Sequence, residues 1–225
     1  MSRELIVVAT IKSWNIQNFK HLRDKFSDIY DFVLIENQSE LSPRFVFFPH
    51  WSWIIPNEIY DSFECVLFHM TDLPFGRGGS PLQNLIVRGF ENTKISALQV
   101  SEELDAGLIY LKKDLSLHGT AEEIFLRASD IIFEEMIPVI LKEKPEPIAQ
   151  SGKPTVFKRR CKEDGNLISL KDLKEIYNYI RMLDAEGYPP AFLETENFVF
   201  DFSRASLKAD GIFADVFIRE KEKDE

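Results

Sequence analysis

His69 and Asp105 lie 36 positions apart, in the segments FHMTDLPFGRGGSP (residues 68–81) and LDAGLIY (residues 104–110). An imidazole beside a carboxylate can take up and return a proton near neutral pH, such as the one an attacking amine must lose. Between them runs Gly76-Arg77-Gly78-Gly79. Three glycines in four positions let a backbone approach a ligand closely. Taken alone, a strand-end histidine is more often a hydrogen-bonded structural residue. Asp105, two residues before Gly107, reads alone as a turn or cap aspartate. It is the neighbourhood that turns the pair into a candidate site.

The elements that must position this pair read as alternating strands and helices. ELIVVAT (residues 4–10) is a continuous apolar run, as in a buried parallel strand. Residues 15–26 set Ile16, Phe19, Leu22 and Phe26 on one helical face. Strands are predicted at 32–35, 45–48, 65–68 and 93–100, with a short helix near 57–61 and another starting at Pro81. Thr120-Ala-Glu-Glu123 is a capping box opening a long helix, with Ile124, Phe125, Ala128, Ile131, Ile132 and Met136 on its apolar face. Pro138 should kink that helix. KPEPIAQSGKP follows as a proline-rich connector, which sets a boundary near residue 150. Beyond it come a strand (155–159), a helix opened by Ser169, and a hairpin or meander over 191–218. The expected fold is α/β: a mostly parallel, doubly wound, Rossmann-like sheet in residues 1–150 and a small C-terminal α+β annex in 151–225.

Composition narrows the chemistry. The chain has 225 residues, 44% of them hydrophobic and 19 of them Phe, enough for a packed core. No apolar run reaches membrane-spanning length, and the N-terminal run reads as a first strand rather than a leader. Cys65 and Cys161 read as two free, buried thiols, so the chain is expected in the cytoplasm. Net charge is −10, and residues 151–225, with 13 basic and 15 acidic side chains, are themselves acidic. Neither part looks like a nucleic-acid surface. ATIKSW follows the first strand, so the glycine fingerprint of a dinucleotide site is absent, as is a P-loop. The four histidines (21, 50, 69 and 118) show no ligand spacing, so no metal is expected. The tail REKEKDE should fray.

Four ordered segments resemble the formyltransferase family. HMTDLPFGRGGSP followed by LDAGLIY is similar to its Asn-x-His-x-Ser-Leu-Leu-Pro and Asp-x-Gly pattern. HWSWIIP (50–56) resembles a loop that lines the family's folate pocket, and IRMLDAEGYPPAF (180–192) resembles a further segment of the same enzymes. One position departs: the family carries asparagine two residues before the histidine, and here stands Leu67. The likeness is greatest to small sugar N-formyltransferases, in particular the type serving pseudaminic acid biosynthesis.

The resemblance implies N10-formyltetrahydrofolate as the donor and no metal. It implies His69 and Asp105 as catalytic groups, with Trp53, Ile54, Ile55, Val100 and Leu104 around the pterin. Residues i and i+2 of a strand share a face, so Leu67 should sit beside His69 and cannot donate a hydrogen bond. Asn84, Asn57 and Thr71 are candidates for a substitute donor. The implied acceptor is the amine of a nucleotide-linked, UDP-type 4-amino-4,6-dideoxy sugar. Lys12, Trp14, Arg77, Asn84, Lys158, Arg159 and Arg160 are candidate contacts to it, although a basic run such as 158–160 is usually a solvated strand end. Partners are expected to be this small molecule, without nucleic acid or membrane, and the Phe-rich C-terminal strands could supply a homodimer surface. Two other readings stay open: a methionyl-tRNA formyltransferase-like enzyme, and a folate or nucleotide-sugar binding protein whose catalysis is weakened by loss of the asparagine.

Overall fold

The computed structural model describes residues 3–10, 12–35 and 43–221; of the tail expected to fray, Arg219 and Glu220 instead pair in the last strand, and residues 222–225 lie outside that set. The elements run β1 (Glu4–Ala9), α1 (Ser13–Phe26), β2 (Tyr30–Ile35), β3 (Phe45–Phe48), α2 (Asn57–Tyr60), β4 (Glu64–His69), β5 (Arg77–Gly78), α3 (Pro81–Val87), β6 (Asn92–Gln99) and β7 (Ile109–Ser116). They continue α4 (Ala121–Ile131), α5 (Ile137–Glu143), β8 (Val156–Phe157), α6 (Leu173–Leu183), β9 (Ala191–Glu194), β10 (Phe198–Leu207) and β11 (Ile212–Glu220).

Two compact units divide the chain. The first comprises residues 1–78, 93–115 and 126–156. Its six-stranded sheet has the order β2-β1-β3-β4-β6-β7. β2, β1, β3 and β4 are parallel, and β6 runs antiparallel to β4. Ile6, Val7, Val8, Phe47 and Val66 are buried on both faces of the sheet, which is why these strands read as unbroken apolar runs. β7 escapes that pattern. Its IYLKKDLS carries three charges in a row, and Lys113 reaches out to Glu135 at 2.8 Å, as suits an edge strand with one wet face.

The long helix begins on the expected capping box. Thr120 N–H donates to Glu123 Oε2 at 2.8 Å, and Glu123 N–H donates to Thr120 Oγ1 at 3.3 Å. A π-helical turn over Ile132–Met136 joins α4 to α5 just before Pro138 and absorbs the proline's missing donor. Ile124, Phe125, Ala128, Ile132 and Met136 are buried as expected, whereas Ile131 is only half-buried. No helix is long and apolar enough to cross a membrane among the described residues.

The second unit comprises residues 79–92, 116–125 and 157–225. It holds an antiparallel sheet, β11-β10-β9, on which α6 packs. Asp172, not Ser169, opens α6: its carboxylate accepts from Glu175 N–H at 2.8 Å. Arg181 is buried there with Nη1 donating to the carbonyls of Leu117 and Gly119, and Tyr188 stacks on Phe125, so both pack the unit. Both cysteines are free, but Cys161 is exposed, because it caps the turn Lys162–Gly165 rather than entering the core.

Candidate active site

β4 ends at His69, at the C-terminal edge of the parallel strands, where open α/β sheets present their ligand sites. His69 pairs with Ser96 of β6 and is 7% exposed. Its Nε2 lies 2.8 Å from the Gly76 carbonyl. A carbonyl oxygen only accepts, so this nitrogen carries a proton. Nδ1 faces Asp105 Oδ2 at 3.6 Å, and Asp105 is likewise 7% exposed. The same Oδ2 accepts the Gly78 N–H at 2.8 Å. The glycine loop thus contacts both members of the pair, with a carbonyl on the imidazole and an N–H on the carboxylate.

Asp105 has a left-handed backbone, φ 54°. Gly107 follows because no side chain fits: a Cβ there would lie 1.7 Å from the Gln99 carbonyl oxygen. Buried Ser96 braces the other flank. Its hydroxyl donates to Thr71 O at 2.7 Å and accepts from Leu73 N–H at 3.4 Å. Lys112 reaches Asp72 Oδ1 at 2.6 Å and the Leu73 carbonyl at 2.5 Å.

Leu67 faces as expected for a residue two before His69, and packs against Leu73, Leu98 and Ile109. It offers no hydrogen bond. The candidates to replace it are mostly engaged. Asn84 Nδ2 donates to the carbonyls of Gly79, Ser80 and Lys158, and its oxygen accepts from Arg88. Thr71 donates to Gly76 O at 3.3 Å. Asn57 is exposed at the start of α2.

Of the expected pterin-pocket residues, Ile55 is core, and half-buried Val100 packs on the same cluster. Trp53 is 59% exposed and Ile54 88%, and Leu104 is exposed too. Trp53 stands edge-on to Trp51, whose buried indole N–H has no hydrogen-bond partner among the described residues. Open apolar side chains beside an orphaned donor suit a flat heteroaromatic ligand that carries acceptors.

The expected acceptor contacts are divided between the two units. Arg77 gives Nε and Nη2 to Gln150 Oε1 and Nη1 to Glu103. Arg160 is bound to the Asp164 carbonyl and lies over Tyr179. Lys158 and Arg159 are exposed. Lys12 precedes α1, its ammonium 5.2 Å from the Trp14 ring.

Near Lys12 lies a polar network that sequence reasoning missed. Asn15 Nδ2 donates to Thr10 Oγ1 at 2.7 Å and approaches His50 Nδ1 at 3.4 Å, and Asn15 Oδ1 accepts from Ser129 at 2.7 Å. Thr10, Asn15 and Ser129 are all buried. Enclosure of the His50 ring, then the charge of Lys12, push its pKa down to about 3. The available signal was the set of polar residues Thr10, Lys12, Ser13 and Asn15 directly after a buried strand. Among the described residues no cluster of His, Cys, Asp or Glu is placed to hold a metal ion.

Comparison with known proteins identifies the family. Residues 162–219 match a family model described as the C-terminal domain of methionyl-tRNA formyltransferase. A methionyl-tRNA formyltransferase of Bacillus mycoides (strain KBAB4) is 30% identical over 171 residues, which cover 72% of this chain and 53% of the relative. The chain thus spans about half the length of the curated relatives it matches. The solved methionyl-tRNA formyltransferase of Clostridium thermocellum is 52% identical, over 97% of this chain and 100% of that one, with a TM-score of 0.93. A 4-N formyltransferase of Francisella tularensis shares the fold at 16% identity, over 86% of this chain and 93% of that one, with a TM-score of 0.65. The chain belongs to the formyltransferase family.

These relatives overturn the expected acceptor. The more similar proteins are methionyl-tRNA formyltransferases, and the 4-N formyltransferase is distant. An amino sugar bound for pseudaminic acid therefore falls as the acceptor, and so does the exclusion of nucleic acid. The physical reason is that motifs shared by enzymes with different acceptors carry no information about what receives the group. A net charge summed over 75 residues is equally silent about where single cations stand.

Proposed function

We propose that this formyltransferase moves the formyl group of N10-formyltetrahydrofolate to the primary amine of a methionyl group carried on tRNA. The observation that supports transfer at this edge of the sheet is the buried His69–Asp105 pair, with Nδ1 and Oδ2 3.6 Å apart. The acceptor is proposed from the 52% identity to the Clostridium thermocellum enzyme along the whole of that chain.

The donor supplies an activated formyl carbon. Attack by the neutral amine forms the new C–N bond, the bond to the folate nitrogen breaks, the amine loses a proton and the folate nitrogen gains one. Asp105 orients the imidazole and favours the charged ring during transfer. His69 offers a proton toward the negative charge that grows on the formyl oxygen, and relays the amine proton onward. Leu67 contributes no donor, so the proton-bearing groups of the pair carry more of that load. Trp53, Ile54, Ile55, Val100 and Leu104 form the donor's pocket in this reading. The unit made of residues 1–78, 93–115 and 126–156 carries the transfer chemistry in this reading.

The test is incubation with N10-formyltetrahydrofolate and methionylated initiator tRNA, followed by hydrolysis of the ester and detection of formylmethionine. Formylmethionine above the enzyme-free control supports the reading. Its absence, with the donor still bound, would overturn the acceptor.

A further inference from the structure

Gln150 lies between α5 and β8, in the proline-bounded stretch that sequence alone reads as a connector. Its side chain is saturated. Nε2 donates to the Asp105 carbonyl at 2.8 Å and to the Gly107 carbonyl at 2.9 Å. Oε1 accepts from Arg77 Nε at 3.1 Å and from Arg77 Nη2 at 2.8 Å. A primary amide has two N–H donors and two acceptor lone pairs, and all four are used.

The segments joined in this way surround the Asp105 carboxylate. One is Asp105 itself, and the second is the Gly107 turn. The third is Arg77, next to the Gly78 N–H that binds Oδ2. The backbone around Gln150 is tied to the same region. Ile148 exchanges two hydrogen bonds with Ile109, at 2.8 and 2.9 Å. The Thr155 carbonyl accepts from Gly76 N–H at 3.0 Å and from Arg77 N–H at 2.9 Å. Asp105 needs such support, because φ 54° is a conformation that L side chains rarely adopt.

We propose that Gln150 is a positioning residue for formyl transfer, holding Asp105 in its left-handed turn so that the carboxylate stays on His69. Gln150 contacts neither the imidazole nor the carboxylate, so it acts through Asp105. The inference rests on the catalytic reading of His69 and Asp105 given above. Glutamine is the side chain the geometry asks for. Glutamate would keep the acceptor for Arg77 but lose both donors, and methionine would keep the length and lose every hydrogen bond.

The test compares Gln150→Met, Gln150→Glu and Asp105→Asn by crystal structure, melting temperature and kinetics with N10-formyltetrahydrofolate and methionylated initiator tRNA. In Gln150→Met, Asp105 should leave its left-handed conformation, or its carboxylate should move away from Nδ1. Both Gln150 variants should lose about tenfold or more in kcat, with the donor KM within twofold and the melting temperature within a few degrees. A Gln150→Met crystal structure with Asp105 unmoved would overturn the inference whatever the rates, and that arm needs no acceptor. Wild-type kcat in Gln150→Glu, with Asp105→Asn impaired, would overturn the role of Gln150 alone. Wild-type kcat in Asp105→Asn would overturn the catalytic pair, and this role with it. A fall in melting temperature that accounts for the lost activity would mark Gln150 as merely structural.

Discussion

His50 and His69 stand at the ends of neighbouring parallel strands, two residues past β3 and at the last residue of β4. They share a sheet edge and differ in surroundings. His69 has a carboxylate oxygen 3.6 Å from Nδ1 and a backbone carbonyl on Nε2. His50 has an amide N–H approaching Nδ1 at 3.4 Å, a lysine nearby and an aromatic edge at 6.0 Å. Acceptors face both nitrogens of one ring; enclosure, and then the charge of Lys12, keep a proton off the other. A strand-end histidine is therefore no site by position alone. Its enclosure and the groups facing its nitrogens decide what chemistry it can do.

The sharpest way to break this contrast is to remove the carboxylate. Asp105→Asn and His69→Asn should each lower kcat about a hundredfold or more, with melting temperatures close to wild type. Steady-state kinetics and thermal melts on the same preparations decide it. Near-native kcat in either variant would leave His69 no different in kind from His50.

His50 makes the second prediction, on stability. Its pKa is about 3 in the fold and near 6.5 unfolded, so between those values the unfolded chain binds the extra proton. The stability it protects is present above about pH 6.5 and is lost as pH falls toward 3. The loss from this group should be about 2 kcal/mol between pH 7 and pH 5. His50→Asn keeps a residue type that tolerates the φ of 51° and should flatten that slope while sparing kcat. Urea titrations at the two pH values measure it, and an unchanged slope in the variant would remove His50 as the source.

How far the sequence carried depended on whether a signal was local. The buried strands were legible because parallel strands covered on both faces leave unbroken apolar runs, as in ELIVVAT and FVFF. The capping box at Thr120 needed only four residues. β7 was missed because Lys112, Lys113 and Asp114 hide a strand with one wet face. Gln150 and the Asn15–His50–Ser129 network were missed for another reason: their partners lie 35 to 114 positions away, and no spacing rule reaches that far. The acceptor was misread because it is recognised by surfaces that the formyl-transfer motifs do not include.

Ser96 tests the bracing of the His69 loop at a smaller scale. Ser96→Ala removes the donor to Thr71 O and the acceptor for Leu73 N–H, in a place with no solvent to replace them. The cost should be about 1–2 kcal/mol of unfolding free energy, read as a lower urea midpoint at unchanged slope. If the midpoint does not move, the loop is held by Lys112 and Thr155 instead.

The smallest effect is expected at Arg159, which sits where cations and the acceptor question meet. Arg159 is exposed, and its Cα lies 2.6 Å from where a Cβ on Gly79 would stand, so this backbone approach is what requires a glycine there. Arg159→Ala keeps the Cβ and the backbone, so it removes charge without disturbing that packing. If the guanidinium meets one phosphate of a tRNA acceptor, the variant should raise the acceptor KM about threefold and leave kcat alone. It should also reduce the slope of log KM against log salt by about one counterion. A change in KM with the salt slope intact would point to a contact that is not a phosphate. An unchanged KM at every salt concentration would make the 158–160 run a solvated strand end, and would turn the search for the acceptor surface to other cations of the chain.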